Sequence, residues 1–370
     1  MRVLITLPVK VGFDGMTKQV LSYAKYMDRT NLEIDLLSCR GFDPCMEKIV
    51  AEARFDNVYR IECRDTNQVK YFVELVRLMR QRKYDVIHAN GQSATLAVEM
   101  LAGLLTGCKL RVAHSHNSMC LHQRAHKILK PLFKITCNDA IACSKDAGNW
   151  LFGKRKYWIL NNGIDVEAFG FSDSLRREYR KNLGLKEDNI ALGNVAAFEP
   201  KKNQSFLIDL MKILVQNNPK YILYLWGIDG TSKEKVLNKI KDNGLENNVK
   251  YMGTSDKINE YINAMDLMLL PSLFEGFPVT VVEWQANGLP CLLSDTITPD
   301  CNLDGNVKFL PINQGVECWV EQIESSSFNA KERASDNHVI ILRKKGFDIK
   351  QNANELKEHY IEKLNKKRWM

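Results

Sequence analysis

Thirteen short apolar, β-branched runs alternate with longer amphipathic stretches along the 370 residues. No other feature restricts the fold so tightly. A strand buried on both faces reads as a continuous apolar run, and a helix lying over a sheet repeats its apolar residues every three to four positions. Regular alternation of the two predicts parallel sheets wrapped by helices, an α/β chain. Strands are predicted at 3–7, 33–37, 58–61, 86–89, 111–114, 140–143 and 158–160, then at 190–196, 221–226, 249–252, 266–270, 290–294 and 307–310. Helices are predicted near 16–27, 69–82, 94–105, 121–135, 204–215, 232–242, 258–264, 279–286 and 318–324, with a long charged one closing the chain from about 349 to 364–366.

The length implies two domains. The turn Asn161-Asn162-Gly163-Ile164-Asp165 opens the boundary region. It divides the chain into an N-terminal domain, 1–165, and a C-terminal one, 166–348. The closing helix, about 349–366, is expected to pack back on the first. Two such domains would enclose a cleft between the C-terminal ends of their sheets, where open α/β sheets bind ligands. No apolar run approaches the length of a membrane-crossing helix. The N-terminus reads as a first strand rather than a signal peptide. Ten cysteines lack C-x-x-C pairs and zinc spacing, so reduced thiols, a cytoplasmic setting and no metal site are expected.

Charge is uneven. Residues 1–165 carry 25 Lys/Arg against 16 Asp/Glu, and residues 166–370 carry 27 against 28. A basic first half suits an anionic partner such as a membrane surface or a diphosphate-linked acceptor, or is a solubilising face. The segment from His122 to Lys134 mixes basic and apolar residues at helical spacing. It fits either a core-facing helix with a basic outer side or an interfacial helix at an anionic membrane. No nucleic-acid motif accompanies the charge, so no nucleic-acid partner is expected.

Glu275 and Glu283 stand eight positions apart, the first in a Gly/Pro loop after an apolar run, the second on the following helix. In one unbroken helix such a pair would lie broadly on one side, about 12 Å apart. The loop bends Glu275 back. The amides of Gly276, Phe277 and Val279, with Pro278 between them, stand where a helix dipole favours an anion. A phosphate site flanked by sugar-gripping carboxylates is one reading, and a solvated loop with one helix-face Glu is the other. Gly12-Phe13-Asp14-Gly15-Met16-Thr17 follows the first strand and is either a phosphate-approaching turn or a plain βα turn. It is not G-x-G-x-x-G, which argues against a dinucleotide oxidoreductase. His114 and His116 end a strand with period two, and His88 ends another.

The stretch Leu270-Pro271-Ser272-Leu273-Phe274-Glu275-Gly276-Phe277-Pro278, followed by Glu283-Trp284-Gln285-Ala286-Asn287-Gly288-Leu289-Pro290, strongly resembles the E-x7-E region of retaining GT-B glycosyltransferases of the family 4 group. The resemblance runs over nearly the whole chain and looks most like enzymes of capsular or exopolysaccharide assembly. It implies a GT-B fold, two Rossmann-like domains with parallel sheets facing a central cleft. It also implies a metal-independent, retaining hexosyltransferase with no cofactor. The donor would be a nucleoside diphosphate sugar, UDP favoured over GDP, and the acceptor a lipid-linked or other saccharide. Glu275 would contact the donor sugar and Glu283 the ribose. Gly15 would face the donor phosphates, with Met16, Thr17 and His88 on the acceptor side. His116 matches the family's sugar-contacting histidine, while His114 reads as structural.

Lys202 and Asn203 match the family's K-N, whose Lys holds the diphosphate. The accompanying Arg position is Ala197, a departure for which Lys201 is the nearest substitute. A guanidinium aimed at a leaving diphosphate is worth roughly 2–4 kcal/mol. Leu225-Trp226-Gly227-Ile228-Asp229-Gly230 has one residue more than the usual G-x-G turn, and Tyr251-Met252-Gly253-Thr254-Ser255-Asp256 resembles the nucleobase turn. A non-catalytic partner with a decayed donor site and a GT-B sugar-nucleotide epimerase are the alternative functions.

Overall fold

The computed structural model describes all residues except Phe13, Leu121, Ser335, Asp336 and 367–370. Two compact units emerge, Met1–Gly163 with Asp348–Met370, and Ile164–Phe347. In chain order the first contains β1 (Arg2–Leu7), α1 (Gly15–Tyr26), β2 (Glu33–Ser38), α2 (Glu47–Glu52), β3 (Asn57–Arg60), α3 (Gln68–Arg82), β4 (Val86–Gly91), α4 (Ala97–Leu105), β5 (Leu110–Ser115), α5 (Gln123–Thr136), β6 (Asp139–Ala142), α6 (Lys145–Phe152) and β7 (Trp158–Ile159). The second contains α7 (Asp173–Asn182), β8 (Ile190–Val195), α8 (Gln204–Asn217), β9 (Tyr221–Trp226), α9 (Lys233–Asp242), β10 (Val249–Gly253), α10 (Ile258–Tyr261), β11 (Leu267–Leu270), α11 (Val279–Ala286), β12 (Cys291–Ser294), β13 (Val307–Leu310), α12 (Glu317–Glu324) and α13 (Asn337–Lys344). Helix α14 (Ile349–Lys366) belongs to the first unit, where it packs on α1.

The first sheet has seven strands in the order β3-β2-β1-β4-β5-β6-β7, and the second six in the order β10-β9-β8-β11-β12-β13. All pairings are parallel. Both are doubly wound, and strand order reverses between β1 and β4 in one and between β8 and β11 in the other. Loops diverge at these switch points and leave a crevice at the strands' C-terminal ends. Both β4 and β11 are fully buried; β11 (LMLL) reads as an unbroken apolar run, whereas β4 (VIHANG) also carries His88 and Asn90.

Each predicted strand has its counterpart. Four helices that the sequence pattern did not signal are present: α2, α6, α7 and α13. Helix α7, DSLRREYRKN, has only two apolar residues, Leu175 and Tyr179, which stand four apart and pack on one core cluster. It is also held by Arg176 and Arg180, which bond Asp266 at 2.5 and 3.2 Å. Predicted helix 94–105 opens as a tight three-residue turn, Ala94–Leu96, before α4. Predicted helix 258–264 is α10 followed by another such turn, Ile262–Ala264. The segment predicted from 121 starts at Gln123, Leu121 lying outside the described residues.

Candidate active site

In the second unit the loops leaving β8 and β11, the strands that flank the switch point, are tied together. The Leu273 amide donates to the Lys201 carbonyl at 2.7 Å. Lys202 Nζ donates to Glu275 Oε1 at 2.5 Å, and the Ser272 hydroxyl donates to the same oxygen at 2.7 Å. Thr296 Oγ1 donates to the Ser272 carbonyl at 2.7 Å, anchoring the loop on the β12 side. Residues 73 apart in sequence thus meet because β8 and β11 are neighbours. An ammonium has three donors and Glu275 takes one, so two remain for another anion.

Helix α11 begins beside this pair. Pro278 precedes its first residue, and no side chain caps it. An uncapped amino end leaves first-turn amides and the positive end of the dipole for an anion. Gly276 is exposed, and a Cβ there would meet nothing. Phe277 stacks on Phe347 with centroids 5.4 Å apart. Glu283 lies one turn inside α11 at 2% exposure, so it is nearly enclosed while Glu275 is half-buried. The two glutamates therefore occupy different environments, a loop surface and a helix interior.

Asn203 begins α8 at φ 54°, ψ 38°, a left-handed conformation that asparagine tolerates better than most residues. Its fit to the K-N pattern is therefore a backbone requirement as well. Lys201 is exposed. Ala197 is half-buried, and its carbonyl accepts from the Glu199 amide at 2.8 Å and from Gln204 Nε2 at 2.9 Å. The longer turn after β9 presses on this same loop. A Cβ on Gly227 would come within 1.9 Å of the Ala196 carbonyl oxygen, and one on Gly230 within 2.4 Å of the Phe198 oxygen. Glycine is thus required at both positions by backbone contact, in spite of the unusual spacing.

In the first unit Asp14 caps α1 by accepting from the amides of Met16 and Thr17 at 3.0 and 3.1 Å. Thr17 is buried and its hydroxyl donates to Asp14 Oδ2 at 2.5 Å. The Thr17 hydroxyl, expected on the acceptor side, serves the cap in this structure. Met16 is half-buried against the core, and Gly15 is exposed with open space about its Cα.

His88, also expected on the acceptor side, is buried. At 2% exposure it is a core residue, its Nδ1 against the Tyr360 hydroxyl of α14 and its Nε2 3.1 Å from His114 Nδ1. Both ring nitrogens are occupied. His116 is half-buried just past β5, its ring 4.1 Å from that of fully buried His114 and its Nε2 2.8 Å from Asn90 Oδ1. Burial lowers the pKa of His88 and of His116 to about 3 and pushes His114 well below the usual histidine range. All three are neutral at physiological pH. Asn90 and Tyr360 were not singled out in the sequence, since a lone Asn or Tyr carries no spacing signal.

Two family models match the chain. "Glycosyltransferase Family 4" covers residues 13–168 and "Glycosyl transferases group 1" covers 176–334. Among similar proteins, "Putative glycosyltransferase EpsF" of Bacillus subtilis is 28% identical, covering 94% of this chain and 93% of its own. An Escherichia coli protein named UDP-Gal:alpha-D-GlcNAc-diphosphoundecaprenol alpha-1,3-galactosyltransferase is 25% identical, with 94% of each chain covered. Among solved structures, Anabaena Alr3699/HepE in complex with UDP superposes with a TM-score of 0.78 at 20% identity, covering 97% of this chain and 99% of that one. The last likeness establishes the fold.

Proposed function

We propose that this chain, which belongs to the family 4 group of GT-B glycosyltransferases, moves a hexose or N-acetylhexosamine from a UDP-sugar to a saccharide acceptor with retention of configuration. The observation that carries the reading is the Lys202–Glu275 pair at the β8/β11 switch point, beside the uncapped start of α11. A leaving diphosphate gains charge as its bond to the anomeric carbon breaks. Donors fixed in advance at that place stabilise the transition state. Lys202 and the α11 amides are such donors. The acceptor oxygen then bonds the anomeric carbon on the face the diphosphate leaves, and its proton passes to a diphosphate oxygen. No protein nucleophile or metal ion is needed in this scheme. Glu275 holds Lys202 and contacts the sugar, as His116 does, and Glu283 takes the ribose hydroxyls. The E. coli relative's name supports a UDP-sugar donor and a lipid-diphosphate-linked acceptor in surface polysaccharide assembly.

Lys202→Ala is expected to slow turnover at least about 100-fold, the effect of removing one strong transition-state donor. The assay is hydrolysis of a panel of UDP- and GDP-sugars, with the anomer of the transferred sugar read by NMR. Turnover unchanged in Lys202→Ala would place the diphosphate elsewhere. An inverted product would remove the retaining assignment.

Helix α5 supports an anionic membrane surface as the place where a lipid-linked acceptor is met. Its inner side buries His126, Phe133 and Thr136. Facing outward are Arg124, Lys127, Ile128, Pro131, Lys134 and Ile135, with Ile128 75% and Ile135 77% exposed, and the helix has no acidic residue. Apolar side chains ringed by cations on one helix face suit insertion at a lipid headgroup boundary. Among the described residues no helix is long and apolar enough to cross a membrane. Sedimentation with vesicles containing anionic lipid should capture the protein, neutral vesicles should not, and Ile128→Ser with Ile135→Ser should abolish capture. Equal capture by both vesicle types would refute the idea.

A further inference from the structure

Asn90 closes β4 at 1% exposure and makes two bonds that together determine a proton's position. Its Nδ2 donates to the Thr6 carbonyl at 3.3 Å, and its Oδ1 lies 2.8 Å from His116 Nε2. The Thr6 carbonyl can only accept. The amide nitrogen must therefore face β1, and the amide oxygen must face the imidazole. That oxygen also only accepts, so His116 Nε2 carries the hydrogen. In a neutral ring the other nitrogen, Nδ1, is then a lone pair. It is enclosed and among the described residues has no partner, and neither has Nε2 of the adjoining His114. Buried polar atoms are nearly always met, so an enclosed unmet nitrogen calls for a ligand or some other specific explanation. The main-chain frame holds this geometry: Asn90 is in register with His114, and the His116 amide donates to the Gly91 carbonyl at 3.0 Å.

We propose that Asn90 is a positioning residue that holds His116 in its Nε2–H tautomer and so keeps Nδ1 as the acceptor for a hydroxyl of the donor sugar. The inference rests on the reading of His116 as a donor contact given above. A histidine free to choose its tautomer or to become charged would meet that hydroxyl with a donor in part of the population. Asn90 removes that choice. The groups around the ring add no carboxylate in direct contact. His114 of β5 adjoins it, His88 of β4 and Tyr360 of α14 continue the buried chain, and Asp139 of β6 stands behind them, paired to His359 at 2.6 Å and to Lys363 at 3.0 Å.

Long-range proton–nitrogen correlation spectra of histidine-labelled wild-type protein report which ring nitrogen bears hydrogen. His116 is expected as Nε2–H, with an Nδ1 signal that moves on addition of the UDP-sugar the wild type hydrolyses fastest. The Nδ1–H tautomer, or an unmoved signal, overturns the proposal. Two variants add readouts that a packing role would not move. In Asn90→Leu the tautomers should mix and donor hydrolysis should fall about 10-fold in kcat, with KM changed less. Asn90→Asp keeps the acceptor but adds an anion, which should raise the histidine pKa and move the acid limb of kcat/KM upward by at least about one pH unit. A wild-type profile in Asn90→Asp, or full kcat in Asn90→Leu, counts against the positioning role. His116→Ala separates the two readings: if it hydrolyses donor at the wild-type rate, the donor contact is wrong even where the tautomer is right.

Discussion

Acidification from pH 6.5 toward pH 4.5 is expected to destabilise the first unit by about 2 kcal/mol per pH unit, roughly 1 from each of two groups. The groups are His88 and His114. Burial lowers the pKa of the first to about 3 and of the second well below 6.5, and neighbouring histidines add to it. The folded state thus binds fewer protons than the unfolded chain. Their contribution is whole above the unfolded value, near 6.5, and is lost as pH falls toward about 3. His116 is left out because the residue as a whole is only half-buried. Across two pH units the loss is a large part of the stability of an ordinary domain. Urea midpoints at intervals from pH 7 to 5 measure it. His88→Gln should remove about half of the slope, and a midpoint that stays level over that range would contradict the prediction.

Arg64→Met is expected to cost about 3–5 kcal/mol, the penalty for leaving a buried charge without its partner. Glu99 of α4 is 1% exposed, and it accepts from Arg64 Nε at 2.9 Å and from the Tyr71 hydroxyl at 2.8 Å. Burial lowers the pKa of Arg64, and Glu99 more than offsets this, so it stays charged. Removing the guanidinium strands the carboxylate with one neutral donor. The double variant Arg64→Met, Glu99→Met should recover most of the loss, since replacing both members of a buried pair by apolar groups is often near neutral. Urea unfolding of the four forms gives the coupling directly. A single substitution costing under about 1 kcal/mol would mean that the carboxylate is hydrated.

The same pattern, chemistry visible in residues and consequences visible only in contacts, recurs across the molecule. Strands were legible where a run is buried on both faces, as in β11, because burial favours apolar residues. Helix α7 was not, since its stripe is only Leu175 and Tyr179 among charged residues, and two arginines fasten it to Asp266. Helix α5 was visible as basic and apolar, but its sequence fitted two arrangements. Only packing decided that His126, Phe133 and Thr136 turn inward while Ile128 and Ile135 remain outside.

The site divides the same way. The amino-acid sequence alone, apart from a motif order read by resemblance, determined that this is an α/β chain and that Lys202, Glu275 and His116 follow strands. Those are local properties of residue type and spacing. That Lys202 meets Glu275, that His88 and Thr17 are buried with internal partners, and that Asn90 bonds His116 were decided by tertiary structure. Strand order, absent from local periodicity, brings the loops after β8 and β11 together and stacks β1, β4 and β5 side by side. A side chain's protonation and partners follow from what that order places within 3 Å of it.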